Sequence, residues 1–576
     1  MKIIRINLSS SSTKTEEIKR DSKYFLLGAR GLSSQIVYDE VPPDCNPLDS
    51  ENKLILANGV LAGSSFPNSA RTSVGSKSPL TNGIKEANVG GRPAMMLARH
   101  GIRALILEGK SLDLKIIVIN QDEIQILPGE EYKGLGNYSL HEKLKAKYGD
   151  RIGIYSIGPA GEYLMKSATV AANDLEGFPS RHAARGGLGG VMGSKGVKAI
   201  ILIPPKDSKV KMYDIKKFKE VVGPFAKTLA QTKQTFSTFG TSLMMKAMSS
   251  YGGIPTKNFR MGSFDKIENI SGEKLHEIVV ARGGKKRLAC CPTCVIRCSN
   301  YIVDENGNHI TSSLEYETMA LNGTNLLIDD IDSLAYIDHY CDDIGIDTIE
   351  FGGTAGVAMD CGEIKWGDAQ EVIRILDKEI RNNTEVGKLY GNGVKVIGEK
   401  LGAKRVPQVK GQGISAYDCR IFKAMGATYA TSPMGADHTA GAAIAGRVPS
   451  QHKDYGELTK NENKLDLSFE LQVYTTIMDS MGCCYFIGPS YENMEIIANA
   501  INAMYGLNLT RDDVIEIGAN IIRTEIEFNE KAGITQQMND VPNFFKEEPS
   551  EPKGLKFTFK KQELKEFWNR LDNHTF

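Results

Sequence analysis

The sequence lacks an excess of charge of either sign, because 70 lysines and arginines balance 70 aspartates and glutamates. A net charge of zero leaves no overall attraction to nucleic acid or to an anionic membrane. Apolar residues make up 41% of the chain, yet no apolar run approaches the ~20 residues of a spanning helix. No charged-then-apolar leader follows Met1. We therefore expect a cytoplasmic, soluble protein with no nucleic-acid partner and no membrane span.

Cysteine is also scarce, with ten residues in 576, which excludes the short, cysteine-dense disulfide scaffold of many secreted proteins. Three of the ten nevertheless fall together in Cys291-Pro-Thr-Cys294-Val-Ile-Arg-Cys298. Thiolates this close repel one another and oxidise readily unless a metal binds them. Zinc and an iron–sulfur cluster both fit the pattern, and a fourth thiol could come from a distant part of the chain.

Glycine, by contrast, is abundant, and many of the 58 glycines are clustered. Two clusters also contain arginines: one runs from Asn68 to Arg92, and the other from Arg181 to Lys195. Exposed backbone N–H groups beside guanidinium groups are typical of phosphate binding. Neither cluster is a dinucleotide fingerprint, because Met192 stands where the third glycine of that motif is required.

The local pattern changes along the chain from strand to helix. Short β-branched runs bounded by turn residues predict strands in the first ~200 residues, and helical periodicity follows Pro204-Pro205. This predicts an α+β protein with a β-rich N-terminal part. The charged, proline-containing segment 547–560 near the C-terminus is predicted to be a surface extension.

Two predicted helices end in matching patterns, Asp342-Asp-Ile-Gly345-Ile-Asp347 and Asp479-Ser-Met-Gly482-Cys-Cys484. Each places an aspartate in the last turn, where the negative end of the helix dipole disfavours it by roughly 0.3–1 kcal/mol. We therefore expect each aspartate to meet a hydrogen-bond donor. The second pattern also offers Cys484 as a candidate fourth thiolate.

Taken together, these features resemble the tungsten- and molybdenum-containing aldehyde:ferredoxin oxidoreductases. The resemblance covers nearly the whole chain and depends on motifs that occur in the family's order: Lys77–Leu80, Ser156–Glu162, Arg185–Lys195, the cysteine run, Glu315-Tyr-Glu317, the two helix ends and Pro542–Pro549.

The resemblance implies a β-rich base domain over residues 1–207 and two mainly helical domains over 208–412 and 413–576, which enclose a buried cofactor. That cofactor would be a tungsten or molybdenum bis-pyranopterin, with Mg²⁺ bridging the pterin phosphates and a [4Fe–4S] cluster beside it. The implied cluster ligands are Cys291, Cys294, Cys298 and Cys484, with Cys290 and Cys483 as adjacent rivals. The implied pterin contacts are Arg71, Asn88, Gly90, Arg181, His182, Ala184, Arg185, Asp342, Ile346, Asp347 and Tyr485.

For the reaction, the resemblance implies that aldehydes are oxidised to carboxylic acids and that electrons leave through the cluster to ferredoxin or a similar iron–sulfur partner. Glu317 is the candidate base and His438 the candidate proton donor, with Asp437 as a second pocket acid. The Asp437-His438 pair departs from the aldehyde-specific pattern. An alternative is therefore a catalytic subunit of a larger complex that acts on another substrate, such as an aromatic acyl-CoA. A zinc-stabilised binding protein is a remote third hypothesis.

A second departure concerns assembly. Some family members use a Glu-x2-His pair for a metal that bridges two subunits, but this chain has Tyr336 in the glutamate's place before His339. We therefore expect a homodimer or hetero-oligomer, if one forms, to lack a bridging metal.

Overall fold

The N-terminal region contains two six-stranded sheets in a computed structural model that describes residues 1–206 and 209–574. The strands of the first sheet are β1 Lys2–Asn7, β2 Ser12–Glu17, β3 Leu54–Asn58, β4 Thr72–Lys77, β5 Ile84–Val89 and β6 Ile102–Glu108, in the order β2-β1-β6-β3-β4-β5. Those of the second are β7 Lys115–Ile119, β8 Ile124–Pro128, β9 Gly153–Ser156, β10 Val170–Ala172, β11 Arg181–Ala183 and β12 Val197–Leu202, in the order β11-β10-β9-β12-β7-β8.

Both sheets are covered on both faces. Alternate residues such as Ile4 of β1 and Ile200 of β12 meet in one apolar layer between the sheets. The opposite face of the first sheet packs against a helix through residues such as Ile3 and Leu32. Because both faces are buried, strands such as β3, β6 and β7 have nearly continuous apolar runs, which is why these could be recognised from sequence. The predicted α+β class is confirmed.

The N-terminal region contains the helices α1 Ala29–Glu40, α2 Pro93–Arg99, α3 Asn137–Tyr148, α4 Pro159–Glu162 and α5 Leu188–Ser194. Helices dominate after residue 209. The others are α6 Ile215–Thr232, α7 Gln234–Phe239, α8 Met244–Tyr251, α9 Gly272–Ala281, α10 Tyr316–Asn322, α11 Ile331–Ile344, α12 Thr348–Asp360, α13 Ala369–Arg374, α14 Glu385–Gly391, α15 Val394–Leu401, α16 Lys423–Thr431, α17 Lys464–Met481, α18 Tyr491–Tyr505, α19 Arg511–Lys531, α20 Phe544–Glu547, α21 Lys561–Lys565 and α22 Arg570–Asn573.

Two small sheets lie among these helices. One consists of β13 Lys285–Leu288, β14 Ser299–Val303 and β15 His309–Ser312, and the other of β16 Gln408–Val409 and β17 Gln412–Gly413. The expected domain boundary after residue 412 falls inside β17, and the one after residue 207 lies outside the described residues.

The two matched helix ends are present as predicted. Helix α11 ends at Gly345 with φ 79°, and α17 ends at Gly482 with φ 76°, a left-handed conformation that favours glycine. The second end lies directly against the first sheet, because a Cβ added at Gly59 would stand 2.1 Å from the Gly482 nitrogen. This close approach brings Cys484 to the base region.

Most residues of the C-terminal segment 547–560 are exposed, in keeping with a surface extension, but two of its aromatic side chains are buried. Phe557 and Phe559 within it are 2% and 5% exposed, and Trp568 beyond it donates a hydrogen bond to the Thr431 carbonyl over 2.8 Å. These aromatic side chains anchor the segment to the helical region, while its charged side chains remain exposed. No helix in the described ranges is both long enough and apolar enough to cross a bilayer.

Candidate functional site

The predicted cluster ligands come from two separate segments that the fold brings together. Cys291, Cys294 and Cys298 lie between β13 and β14, and Cys484 follows α17. Cys291 and Cys294 are buried, whereas Cys298 and Cys484 are partly exposed. Burial and then neighbouring charges, that of Cys484 among them, raise the pKa of Cys298, which places the two segments within electrostatic reach of each other.

Asn68 of the base region connects these two segments. Its backbone nitrogen donates to the Thr293 carbonyl over 2.9 Å, and its side-chain oxygen accepts from the Val295 nitrogen over 3.1 Å. Its own carbonyl accepts from the Cys484 nitrogen over 2.9 Å. Asn68 has a φ of 57°, in the left-handed region that asparagine tolerates better than most residues. One base-region residue therefore sets the position of the cysteine run relative to Cys484.

The two rival cysteines differ in position. Cys290 lies in one buried cluster with Cys291 and Cys294, and these neighbouring thiols lower its pKa well below the usual value. Cys483 is 1% exposed, and burial raises its pKa. Cys290 is therefore the closer competitor. In the part of the chain that the structure describes, no three cysteine, histidine or acidic side chains form a group that could hold a single metal ion.

One side of the thiols is lined by polar groups that lack protein partners. Arg71 donates to both oxygens of Asn88, whose side-chain nitrogen is buried with no partner. The Arg181 Nε atom is likewise buried and unpaired. Burial opposes the charge of both arginines, but neighbouring thiols and acidic groups raise their pKa. A Cβ at Gly90 would lie 3.4 Å from Arg71 Nη1, so a side chain there would crowd this space.

The aspartates at the two helix ends meet donors, as predicted. Asp342 lies 3.0 Å from His182 Nε2, and the other ring nitrogen of His182 shares a 2.7 Å hydrogen bond with the Thr169 hydroxyl. Asp479 accepts from Arg30 over 3.3 Å. The first pair joins β11 to α11, and the second joins α1 to α17. Both motifs thus attach a helix end to the base region.

Arg185 has no N–H group free. Its acceptors are the carboxylates of Asp347 and Glu350 at 3.2 and 3.5 Å, the Ser415 hydroxyl at 2.9 Å, and the carbonyls of Gly413 and Ala436 at 2.6 and 2.8 Å. This arginine joins the loop before α5 to α12 and to the segments on either side of α16. The Arg185 guanidinium therefore links separate parts of the protein. Among the other predicted pterin contacts, Arg181 keeps a donor, its Nε–H group, that has no protein acceptor.

The last three predicted contacts lie around the same region. Ile346 is 2% exposed and forms a bridge with Ala168, and Tyr485 donates to the Ala442 carbonyl over 3.2 Å. Ala184 is half-buried between β11 and Arg185. The side chains of Ile346 and Ala184 are apolar, and the Tyr485 hydroxyl already has a protein partner. At these three positions the main-chain groups are therefore more suitable than the side chains for contact with a polar ligand.

Glu317 and His438 face each other in a buried setting. His438 Nε2 lies 3.5 Å from Glu317 Oε1, which has no hydrogen-bond partner. The second oxygen of Glu317 accepts from the Ala416 nitrogen over 2.8 Å, and His438 Nδ1 shares a 3.0 Å hydrogen bond with the Ser415 hydroxyl. One oxygen of Glu317 is thus held, while the other is available for proton transfer.

Three buried tyrosines surround this pair. The Tyr316 hydroxyl donates to the Ala416 carbonyl over 2.6 Å, and the Tyr417 ring lies 6.1 Å from that of His438. The Tyr429 hydroxyl is buried without a partner. Burial among these rings raises the pKa of Glu317, although His438 and the Ala416 N–H act in the opposite direction.

Asp437 has a structural role, in contrast to the neighbouring His438. Its Oδ2 forms an ion pair with the fully buried Lys85 amine, and its Oδ1 accepts from the nitrogen and hydroxyl of Thr439 over 3.0 and 2.8 Å. Burial opposes ionisation, but Lys85, Arg185 and His438 together outweigh it and hold the pKa of Asp437 far below its usual range. A carboxylate with so low a pKa is a poor proton donor, so Asp437 is better suited to anchoring the turn that carries His438.

Replacing Lys85 by methionine is expected to lower the free energy of unfolding by about 3–5 kcal/mol, because the Asp437 charge would stay buried without its partner. Urea denaturation of the anaerobically purified protein measures this. The control is Lys14→Met, since the Lys14 side chain is 72% exposed in its pair with Glu16 and its loss should cost less than about 1 kcal/mol. Equal losses in the two variants would contradict a structural role for the buried pair.

Sequence reasoning missed several residues of this site. Lys85 and Glu86 are consecutive charges in a strand, β5, that is almost fully buried, and this pattern was an available signal. Asn68 and Tyr429 carried no comparable signal, because their roles depend on segments far away in the chain.

The fold resembles that of a solved complex. Over 100% of this chain and 94% of the matched chain, the TM-score is 0.82 at 18% sequence identity, and that structure is the active site complex BamBC of benzoyl coenzyme A reductase with 1,5-dienoyl-CoA. At this identity the likeness establishes the fold alone.

Comparisons of the sequence itself identify relatives with higher identity than this solved structure. Residues 3–203 match the N-terminal domain of aldehyde ferredoxin oxidoreductase, and residues 220–571 match its domains 2 and 3. The tungsten-containing aldehyde ferredoxin oxidoreductase of Pyrococcus horikoshii is 32% identical over 96% of this chain and 92% of its own. The WOR-like subunit of an aliphatic sulfonate oxidoreductase from Pyrococcus furiosus is 26% identical over 91% of this chain and 85% of its own. The chain belongs to the aldehyde ferredoxin oxidoreductase family and is an oxidoreductase.

Proposed function

We propose that this chain is a tungsten (or molybdenum) bis-pyranopterin enzyme that oxidises aldehydes to carboxylic acids and passes the electrons through a [4Fe–4S] cluster to ferredoxin or a ferredoxin-like protein. The observation that carries the proposal is a set of buried polar atoms without protein partners, Asn88 Nδ2, Arg181 Nε and Glu317 Oε1. Unpaired polar atoms are costly in a protein interior, so their presence in residues matched to one family site indicates a polar ligand.

The residues present fit the pterin group. Arg71 and Arg181 offer charged donors for phosphate, and Gly90 leaves room beside them. At the other end, the carboxylates of Asp342 and Asp347 suit the donor-rich pterin rings. Oxygen atoms near Asn88 and the phosphates would suit Mg²⁺.

The four cysteine thiols fit an iron–sulfur cluster. They come from two segments joined at Asn68, and thiolates are the protein ligands that such clusters require. Two of these ligands are buried and two are partly exposed, which suits a cluster that receives electrons inside the protein and releases them outside.

When bound, the pterin metal supplies two-electron redox chemistry next to the cluster. The protein supplies the proton chemistry. Glu317 Oε1 can take a proton from water or from a hydrated aldehyde, and His438 can donate one to a substrate oxygen. The ring of buried tyrosines keeps water away from this pair and orients the substrate. The proposal includes a cytoplasmic location and an iron–sulfur protein as the electron acceptor.

The test is metal and pterin analysis of anaerobically purified protein, followed by viologen reduction with a panel of aldehydes. We expect about four irons and a stoichiometric amount of tungsten or molybdenum with extractable pterin. Zinc without pterin would refute the proposal. A protein with full metal content that oxidises no aldehyde would favour the alternative, a catalytic subunit acting on another substrate class, as the name of the sulfonate-oxidising relative suggests.

A further inference from the structure

The partly exposed side of the thiol group carries a concentration of positive charge. Three cationic residues at this side are exposed and two are half-buried; they are Lys286, Arg287 and Arg297, and Lys233 and Arg447. We refer to these five residues as the basic face.

None of the five residues of the basic face forms an ion pair within residues 1–206 and 209–574. Their contacts are instead neutral or aromatic. Lys286 Nζ lies 3.1 Å from His276 Nε2, Arg287 donates to the Thr238 hydroxyl over 3.1 Å, and the Arg447 guanidinium stands 4.9 Å from the centre of the Tyr485 ring. Nearby lysines are neutralised, as Lys285 is by Glu176 at 2.9 Å. The basic face therefore keeps a net positive charge.

The basic face surrounds the two less buried thiols. A surface cleft lined by Lys286, His276 and Thr238 reaches Cys298. On the other side, Arg447 stacks near Tyr485 and Phe486, which directly follow Cys484. Phe236 lies 5.1 Å from Phe486 and places apolar surface between the charges. A charged rim around a small apolar centre is typical of a docking surface for a protein partner.

We propose that the basic face docks an acidic one-electron carrier of the iron–sulfur type, with the carrier's cluster opposite Cys298 and Cys484. This inference depends on the proposed function, because it requires a cluster on the four thiols. One electron then passes from the reduced cluster of this chain to one oxidised carrier, and two carriers are reduced for each aldehyde oxidised. Opposite charges on the two surfaces accelerate the encounter and make it sensitive to salt.

The test uses the holoenzyme with the substitutions Lys286→Glu and Arg287→Glu combined. The electron acceptors are an acidic single-cluster ferredoxin and benzyl viologen, a small dye that needs no docking surface. We expect kcat/KM for ferredoxin to fall about tenfold or more at low salt and to lose much of its salt dependence. Dye reduction should stay unchanged, since neither residue contacts the thiols or the buried polar site.

A matched control reverses two exposed lysines at the other end of α6, Lys216→Glu with Lys219→Glu. Lys216 stands 17 residues before Lys233, about 25 Å along a helix. This control should leave ferredoxin reduction unaltered. Binding of oxidised ferredoxin to immobilised protein, with basic cytochrome c as the negative partner, requires no turnover and separates the two proposals. Ferredoxin binding that the Lys286 and Arg287 reversals do not weaken would overturn the docking proposal, whereas absent aldehyde turnover would overturn only the function.

Discussion

Substitution of Glu317 by glutamine is expected to lower the turnover of aldehyde by about 10²–10⁴-fold, the range typical of a lost general base. Glutamine keeps the shape of the side chain and its hydrogen bond to the Ala416 nitrogen, but it cannot accept the substrate's proton. Metal and pterin content should remain at the level of the unaltered protein, because Glu317 contacts none of the cysteines or arginines named above. The measurement is viologen reduction with saturating aldehyde.

The same residue predicts a pH dependence. Burial raises the pKa of Glu317 above its ordinary value of 4.5, and a base acts only when it is ionised. Turnover should therefore be retained above the raised pKa and should be lost as the pH falls through it. In the glutamine variant, this acid limb of the kcat profile should disappear, which a purely structural role for Glu317 would not produce.

The control for both results is Glu315→Gln, two residues away. The Glu315 carboxylate accepts from the hydroxyls of Thr241 and Ser313, so glutamine can retain an acceptor there, and we expect less than about a tenfold change in turnover. If Glu315→Gln lowered turnover as much as Glu317→Gln and both kept the acid limb, Glu317 would not be the base.

Replacing Cys484 by alanine is expected to remove one cluster ligand and to reduce the iron content from about four per chain to three or fewer. Reduction of both ferredoxin and dye should fall below about 1% of the original rate, because electrons would lose their exit. Iron analysis and EPR of the dithionite-reduced protein measure the change.

Adjacent cysteines offer matched controls. Cys483→Ala removes a thiol that is 1% exposed, and Cys290→Ala removes the thiol that shares a buried cluster with Cys291 and Cys294. Both variants should retain about four irons. Loss of iron in Cys290→Ala but not in Cys291→Ala would reassign the ligand set, since Cys290 is the closer of the two rivals.

Much of the architecture was predictable because its causes are local. Strands of the N-terminal region such as β3, β6 and β7 have apolar runs that follow from burial on both faces. The ends of α11 and α17 were predicted because a left-handed residue after a helix requires glycine or a close substitute. The donors expected for Asp342 and Asp479 were also found, in His182 and Arg30, although their identities could not be inferred.

The site was less predictable because its contacts join distant segments. Asp437 was expected to be a pocket acid, but it pairs with Lys85, which is 352 positions away. Arg185 stays a predicted cofactor contact, and the structure adds that protein groups from distant segments accept from all of its side-chain N–H groups. The C-terminal segment was expected to be a surface extension; its charged residues are exposed, but Phe557 and Phe559 are buried against the helical region.

By itself, the sequence determined the family of this protein, its α+β class and the residue types available for chemistry, since motifs and local periodicity are properties of neighbouring residues. Only the tertiary structure decided which charges neutralise one another, which polar atoms stay unpaired for a ligand, and which cations remain free around Cys298. Those outcomes depend on burial and on distances between segments that are far apart in the chain, and the electrostatic energy of a pair depends on both.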